Sequence, residues 1–378
     1  PLGISLADKK QKVLLYDIDI KRLNTVKSGK MPFIEYGAEK ILKKNIKNKR
    51  ISISNDIENI SKAKNVIITI GTPIDEYLNP KYNSFLTFFS KIKKYIKKNQ
   101  NVIIRSSVYP GTCSLIQSKF NKNNIFNLSY CPERIVQGFA IKELKILPQL
   151  IASGNRKSFL ESNKIFSLLT SKIIKCSFEE AELIKLFNNS SRYIEFSISN
   201  QYYMISNKFN VDFDRIRYLM DYGYKRSKLL PSAGLSAGPC LLKDTMQLYS
   251  ASNQQYTLGY SAMNINEGFP NYIVSNLLNK FKLNNKNIGI LGMAFKANID
   301  DTRDSLSFKL KKILEFQGSN VFCTDPFVKN NKFFKVNKVI DKCKIIIIAA
   351  PHDVYKKLKF TKKHHIVDVW GFYKSKKF

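Results

Sequence analysis

The sequence predicts an α/β protein in which two parallel-sheet halves are joined by a long central helix. Three observations carry this reading. Short apolar strands alternate with helical stretches through the first part of the chain. A second alternation begins at Asn287. Between them, residues 179–209 keep a helical pattern far longer than its neighbours. At 378 residues, with 44% hydrophobic and 12% aromatic content, the chain exceeds one simple core and can pack several.

Residues 1–7 read as the interior of a helix, and 13–17 as an apolar strand closed by Asp17. A dinucleotide-binding unit runs strand, Gly-x-Gly-x-x-Gly, helix, strand, acid. Gly3 is then expected to be its last glycine, and Asp17 to hold the ribose hydroxyls. The first strand and first two glycines would lie upstream, so the chain reads as an N-terminal fragment or one that begins after a missed start. Residues 65–70 form a strand leading into Gly71-Thr72-Pro73, and 85–98 an amphipathic helix. The strand at 101–107 runs into Val108-Tyr109-Pro110-Gly111-Thr112, and the one at 128–130 into Cys131-Pro132-Glu133-Arg134. Thr72, Ser107 and Glu133 thus sit just past strand ends, where open α/β sheets bind ligands. The plainer alternative is that Thr72 and Ser107 cap helices.

In the central helix, Lys185, Asn189 and Arg192 are four and three apart and share one face. Leu183, Phe187, Ile194 and Ile198 supply apolar positions, and a helix this long is a natural spine for a dimer. A solvated polar face is the plainer reading of Arg192. Next comes Gly234-Leu235-Ser236-Ala237-Gly238-Pro239-Cys240-Leu241-Leu242-Lys243-Asp244. Its small residues suit a backbone that approaches a ligand closely. Cys240, at a helix N-terminus beside a lysine, stands in the setting that favours thiolate, against the alternative of a buried structural cysteine.

After a linker at 280–286, residues 287–291 form a strand followed by Gly292-Met293-Ala294-Phe295-Lys296. Ser305 or Asp304 caps a helix that reaches Phe316 and stops at Gly318. Strands follow at 321–324, 344–348 and 366–369. Two Rossmann-like halves with a helical spine result, divided as 1–176, 177–280 and 281–378.

Composition removes several classes of function. The net charge of +34 comes from lysines spread through every segment, which speaks for acidic or phosphate-bearing ligands as readily as for nucleic acid. Six cysteines without a Cys-x-x-Cys pair argue against a zinc site or a disulfide framework and favour a reducing cytoplasm. Three histidines near the C-terminus make a Ser-His-Asp or Cys-His hydrolase a poor fit. No apolar run reaches a membrane span, and no signal-peptide pattern appears.

Six segments together resemble the UDP-glucose/GDP-mannose dehydrogenase family along nearly the whole chain. They are Gly71-Thr72-Pro73, residues 106–112, Cys131-Pro132-Glu133-Arg134, Glu182-x-x-Lys185-x-x-x-Asn189, residues 238–244, and residues 292–296 with Asp301-x-Arg303-x-Ser305. The resemblance implies oxidation of a sugar C6 alcohol to the acid with two NAD in turn. By it Cys240 is the nucleophile, Lys185 and Asn189 hold the developing alkoxide, Asp244 orients or activates water, and Glu133 lies beside the reacting carbon. Gly3, Asp17, Arg22, Thr72, Ser107, Lys243 and Arg303 form the cofactor set. Gly234, Gly238, Arg192 and Lys296 form the substrate set, and the spine helix makes a homodimer.

The chain departs from the family pattern at Gln137, where many members carry a second glutamate, at Ser107, at Asn200-Gln201 and at Ala237-Gly238-Pro239. Without the upstream Gly-x-Gly, NAD binding is expected to be poor. The sugar stays open among UDP-glucose, UDP-N-acetylglucosamine, UDP-N-acetylmannosamine and GDP-mannose, with a lean towards an N-acetylated UDP-sugar. The competing readings are a single-step hydroxyacid dehydrogenase, a truncated inactive dimer and a basic nucleic-acid-binding protein.

Overall fold

The structure is a computed structural model that describes residues 1–373; the last five residues of the expected C-terminal domain, 374–378, lie outside the described residues. The chain divides into two compact units, Pro1–Asn188 and Asn189–Phe378.

The first unit opens with α1 (Leu2–Asp8), β1 (Val13–Tyr16), α2 (Ile20–Lys27), α3 (Ala38–Lys47) and β2 (Ile51–Ser54). There follow β3 (Asn65–Ile68), α4 (Tyr82–Lys93), β4 (Asn101–Ile104), α5 (Thr112–Phe120) and β5 (Asn127–Tyr130). It continues through α6 (Ala140–Ile146), β6 (Gln149–Ser153), α7 (Arg156–Phe166), β7 (Ile173–Cys176) and the start of α8 (Phe178–Lys208). Starts are set by local chemistry: the carboxylate of Asp19 accepts from Arg22 N at the head of α2, and the amide of Asn155 accepts from Ser158 N at the head of α7. The strands are Val/Ile-rich and, in β4 and β5, buried at every position, as a sheet covered on both faces requires.

Two sheets result, β1-β2 and β3-β4-β5-β6-β7. Helix α1 packs on both, because Leu2 and Leu6 share a core cluster with Ile103 of β4, Val13 of β1 and Ile67 of β3. Asparagines line up in register at the strand starts, Asn65 with Asn101 and Asn101 with Asn127. The expected all-parallel order is corrected at one place: β5 and β6 run antiparallel. A parallel return needs a crossover that carries the chain back along the strand. Residues 131–148 are spent on the Glu133 loop and the two-turn α6, so β6 starts from the end where β5 stops. The strands expected to reach 70 and 107 end at Ile68 and Ile104; Arg105 N makes the last ladder bond, to the Ile68 carbonyl at 2.9 Å, and its side chain turns to Glu133. The helix expected to reach 98 ends at Lys93, where Tyr95 and Ile96 N–H turn back onto Ile92 and Lys93.

The second unit holds the rest of α8, α9 (Phe213–Asp221), α10 (Leu241–Ala251), α11 (Thr257–Leu278), β8 (Asn287–Leu291) and α12 (Leu306–Phe316). It ends with β9 (Asn320–Thr324), α13 (Val336–Lys342), β10 (Ile345–Ile348) and β11 (His365–Val367). Its parallel sheet has the order β11-β10-β8-β9. Ser305 caps α12 as expected. The main core joins α11 (Phe269, Ile273, Leu277), the sheet (Ile288, Ile290, Ile347) and α12 (Leu310, Leu314).

One buried carboxylate binds the start of α8 to the loop that follows β4. Glu182, with no exposed surface, accepts from Gly111 N at 2.7 Å and Cys113 N at 2.8 Å, so it satisfies the otherwise unpaired N-terminus of α5. Burial raises its pKa, against the downward pull of those amides. Glu182→Ala strands both N–H groups. The expected cost is about 1–3 kcal/mol in urea unfolding, and a loss under about 0.5 kcal/mol contradicts this account of the α5 start.

Candidate active site

In the first unit Asp17, Thr72, Ser107 and Glu133 follow the C-terminal ends of β1, β3, β4 and β5, while Gly3 and Arg22 lie in helices. Asp17 follows β1, and its Oδ1 accepts from Asp19 N at 3.0 Å. Thr72 follows β3 and donates through Oγ1 to the Ser107 carbonyl after β4 at 2.5 Å, tying two adjacent strand-end loops together. Neither hydroxyl caps a helix: the N-caps of α4 and α5 are Lys81 and Gly111. Gly3 lies inside α1, where a Cβ would come within 2.8 Å of the Leu15 side chain, so the helix packs closely on β1. Arg22 is exposed on α2 and pairs with Asp19 at 3.3 Å.

Glu133 is held tightly. The buried Arg105 donates to it through Nε and Nη2, both at 2.8 Å, and through Nη1 to the Cys131 carbonyl and the Gln149 side chain, both at 2.9 Å. The guanidinium also lies over Phe166. Arg105 escaped the sequence reading, although a lone charge directly after the apolar run 102–104 was a signal. Lys185 is half-buried on α8, one turn before Asn189, while Arg192 is exposed on the same helix.

The second unit supplies the thiol. Cys240 is the N-cap residue of α10. All six cysteines lie among the described residues, and Cys240 alone is exposed. Four residues on, Asp244 is wholly buried. Asn189 Nδ2 donates to its Oδ2 at 2.6 Å, and Lys243 Nζ donates to its Oδ1. Thus Asn189, Lys243 and Asp244, three residues that the resemblance singled out, form one bonded cluster. Lys243, expected on the cofactor, stands on Asp244.

Two glycines fix the loop ahead of Cys240. Gly234 N donates to Asn200 Oδ1 at 2.8 Å, and a Cβ there would strike the Trp370 ring at 2.4 Å. Asn200 is in turn braced by Asn266 at 2.9 Å. Gly238 has φ +111°, and a Cβ would meet the Phe295 ring at 2.6 Å. Phe295 belongs to the loop after β8 that also carries Lys296. Arg303 grips Asp301 through Nε and Nη2, the latter at 2.6 Å. Asp301, and to a lesser degree Cys240, push its pKa up.

Among the described residues no cluster of three or more His, Cys, Asp or Glu side chains is arranged to hold a metal. No described helix is long and apolar enough to cross a membrane.

Comparison with known proteins matches this arrangement along the chain. Residues 1–170 match the NAD binding domain, 179–268 the central domain and 289–375 the UDP binding domain of the UDP-glucose/GDP-mannose dehydrogenase family. The chain belongs to that family. As a member it is an NAD-dependent oxidoreductase of nucleotide sugars. The UDP-N-acetyl-D-mannosamine dehydrogenase of Methanocaldococcus jannaschii is 26% identical over 363 residues, covering 94% of this chain and 84% of the relative. The UDP-glucose 6-dehydrogenase TuaD of Bacillus subtilis is 26% identical over 339 residues, covering 86% and 73%. The solved structure of the UDP-D-ManNAc dehydrogenase of Pyrococcus horikoshii shares the fold, with a TM-score of 0.87 at 24% identity over 94% of this chain and 88% of that one.

The strand-end residues fit the family's cofactor: an acid after β1 and two linked hydroxyl-bearing loops after β3 and β4 are suited to ribose and phosphate. The buried cluster gives a separate test. Asp244→Ala leaves the Lys243 ammonium and Asn189 amide without their shared acceptor. A loss of about 3 kcal/mol is expected in denaturant unfolding, whereas a loss below about 1 kcal/mol means the cluster contributes little.

Proposed function

We propose that this chain oxidises the C6 alcohol of a UDP-linked sugar to the acid, with Cys240 as covalent nucleophile. The observation that carries this reading is the exposed Cys240 at the head of α10, with the Asn189–Asp244–Lys243 cluster one turn along. An exposed thiol beside a buried polar cluster has no packing role of its own. In this reading residues 1–176 hold the cofactor, 177–280 supply the thiol and the dimer contact, and 281–378 hold the nucleotide.

The residues that would hold NAD are Asp17, Thr72 and Ser107, with Gly3, Arg22 and Arg303; when bound, the cofactor takes up a hydride at each oxidation. The first oxidation leaves an aldehyde. The Cys240 sulfur forms a bond to its carbon, and the carbonyl oxygen takes a proton, giving a thiohemiacetal. Loss of the remaining C–H hydride and the O–H proton leaves a thioester. Water then adds, the C–S bond breaks and the sulfur departs as thiolate with the acid released. Asn189 and Lys185 stabilise the oxygen as it gains charge. Asp244, with both oxygens engaged, orients the Asn189 amide and the Lys243 ammonium. Glu133, fixed by Arg105, is the carboxylate that the resemblance adds to the catalytic set.

Both the M. jannaschii relative and the P. horikoshii structure carry names that specify an N-acetylated UDP-sugar, which makes UDP-N-acetylmannosamine the first substrate to try. Such work belongs in the cytoplasm, where NAD and nucleotide sugars are at hand. A homodimer through α8 accounts for the exposed Tyr202, Ile205, Phe209 and Val211, which form an apolar stretch at the helix end.

NADH formation with UDP-N-acetylmannosamine, UDP-N-acetylglucosamine, UDP-glucose and GDP-mannose tests the chemistry. Two NADH per sugar are expected from one of the UDP-sugars, with kcat reduced by roughly 10³-fold or more in Cys240→Ala. One NADH per sugar, with the variant fully active, supports a thiol-independent single oxidation instead. For the dimer, Ile205→Glu combined with Phe209→Glu is expected to halve the mass in light scattering; an unchanged mass places the contact elsewhere.

A further inference from the structure

Among the described residues outside those assigned above, an acid–histidine pair in the second unit has both side chains closed off from solvent. Asp325 closes β9 and His352 follows β10, and both side chains have 0% exposure. Every acceptor position of the acid is used. Asp325 Oδ2 accepts from Met293 N at 2.7 Å and Ala294 N at 3.0 Å, while Oδ1 accepts from Phe327 N at 2.9 Å and Val328 N at 3.0 Å. His352 Nε2 lies 3.0 Å from Oδ2.

The other ring nitrogen decides the tautomer. Asn298 N–H points at His352 Nδ1 at 2.9 Å, and a backbone N–H can only donate. Nδ1 is therefore the acceptor, and Nε2 carries the proton and donates to Asp325. The imidazole thus bridges the acid to the far end of the 292–298 loop. Phe327 and Tyr355 wall the ring in, at 5.1 and 5.4 Å between centroids.

The bonds act on one segment. Asp325 grips Met293 and Ala294 at its start, and His352 grips Asn298 at its end. Asn298 is in the left-handed region at φ +60° and exchanges two side-chain bonds with Asp353, at 2.6 and 2.9 Å. Gly292, at φ +94°, lets the loop leave β8 in contact with the Ala350 backbone, which a Cβ would meet at 2.6 Å. Between the clamped ends stand Phe295, seated on Gly238 two residues before Cys240, and Lys296. A carboxylate and an imidazole at hydrogen-bond distance commonly invite a catalytic reading, but both of these side chains are sealed from solvent. Their effect runs through the loop.

We propose that Asp325 and His352 are a positioning pair, which sets the 292–298 loop to receive the nucleotide half of the substrate and, through Phe295 on Gly238, aligns that seat with the Cys240 loop. This rests on the reading of the chain as a UDP-sugar dehydrogenase. The pair touches no reacting atom, so it governs nucleotide affinity and not the cofactor.

Two measurements on the full chain test it: UDP binding by calorimetry, and KM for the nucleotide sugar and for NAD. His352→Leu removes both bridging bonds, and His352→Gln restores a donor and an acceptor on a side chain of similar reach. For His352→Leu, UDP affinity is expected to fall and the sugar KM to rise by roughly tenfold or more, with the NAD KM within about twofold. The glutamine variant is expected to recover most of the loss. If His352→Leu does not fold, Asn298→Gly carries the test, since it keeps the left-handed backbone and the N–H to His352 but takes away the side chain that ties this end of the loop to Asp353; its sugar KM is expected to rise with an unchanged NAD KM. Wild-type UDP affinity in the leucine variant, or an equal rise in both KM values, overturns the positioning role alone. A wild-type chain that neither binds UDP nor forms NADH overturns the functional reading, and the inference with it.

Discussion

A carboxylate without solvent contact must be met by donors, and Asp244 is the place where that demand shapes the rest of the site. Its two oxygens are satisfied from opposite directions, by Asn189 on α8 and by Lys243 on its own helix. The bond fixes α10 against α8, and Asp244 lies in the first turn of α10, where a negative charge also favours the helix N-terminus. Cys240 is consequently held at the exposed head of a helix that cannot slide. Were Asp244 apolar, the same helix could pack, but without the bond that ties it to Asn189.

The segments on either side of that helix are built on space more than on attraction. Gly234 gives room to the Trp370 ring, Gly238 to Phe295, and Gly292 to the Ala350 backbone. Each contact is closed by an aromatic or backbone surface and anchored by a hydrogen bond nearby, such as Gly234 N to Asn200 and Trp370 Nε1 to the Ala349 carbonyl. Small residues therefore do in the loops what the paired carboxylates do in the core: they leave one arrangement available. In the first unit the counterpart is Arg105, whose donors organise Glu133, Cys131 and Gln149 around one cation.

Much of this was legible in the sequence where the signal is local. Asp17 at the end of an apolar run, Ser305 before a helical pattern and Cys240 before a helix all proved to sit at the predicted element ends. The i, i+4 spacing of Lys185 and Asn189 placed them correctly on one helix. What escaped depends on partners far along the chain. The antiparallel β6 follows from how residues 131–148 spend their length, which no strand pattern encodes. Strands β2 and β7 have four residues each, β2 with serine at alternate positions and β7 with a lysine inside it, so their apolar signal is weak. The Arg105–Glu133 and Asp325–His352 pairs join residues 28 and 27 apart through sheet topology. Asp325 did carry a readable sign, since it closes β9 as Asp17 closes β1. Its meaning appears only once His352 is brought beside it.

The central claim is that the exposed thiol of Cys240 carries the chemistry. The most direct measurement is alkylation of the chain by iodoacetamide, with each cysteine followed by peptide mass mapping while NADH formation is assayed in parallel. With Cys240 the one exposed cysteine of six, it is expected to be labelled first, and activity to fall in proportion to its labelling alone, with UDP-sugar slowing both. Full activity in a chain whose Cys240 is completely alkylated contradicts the account.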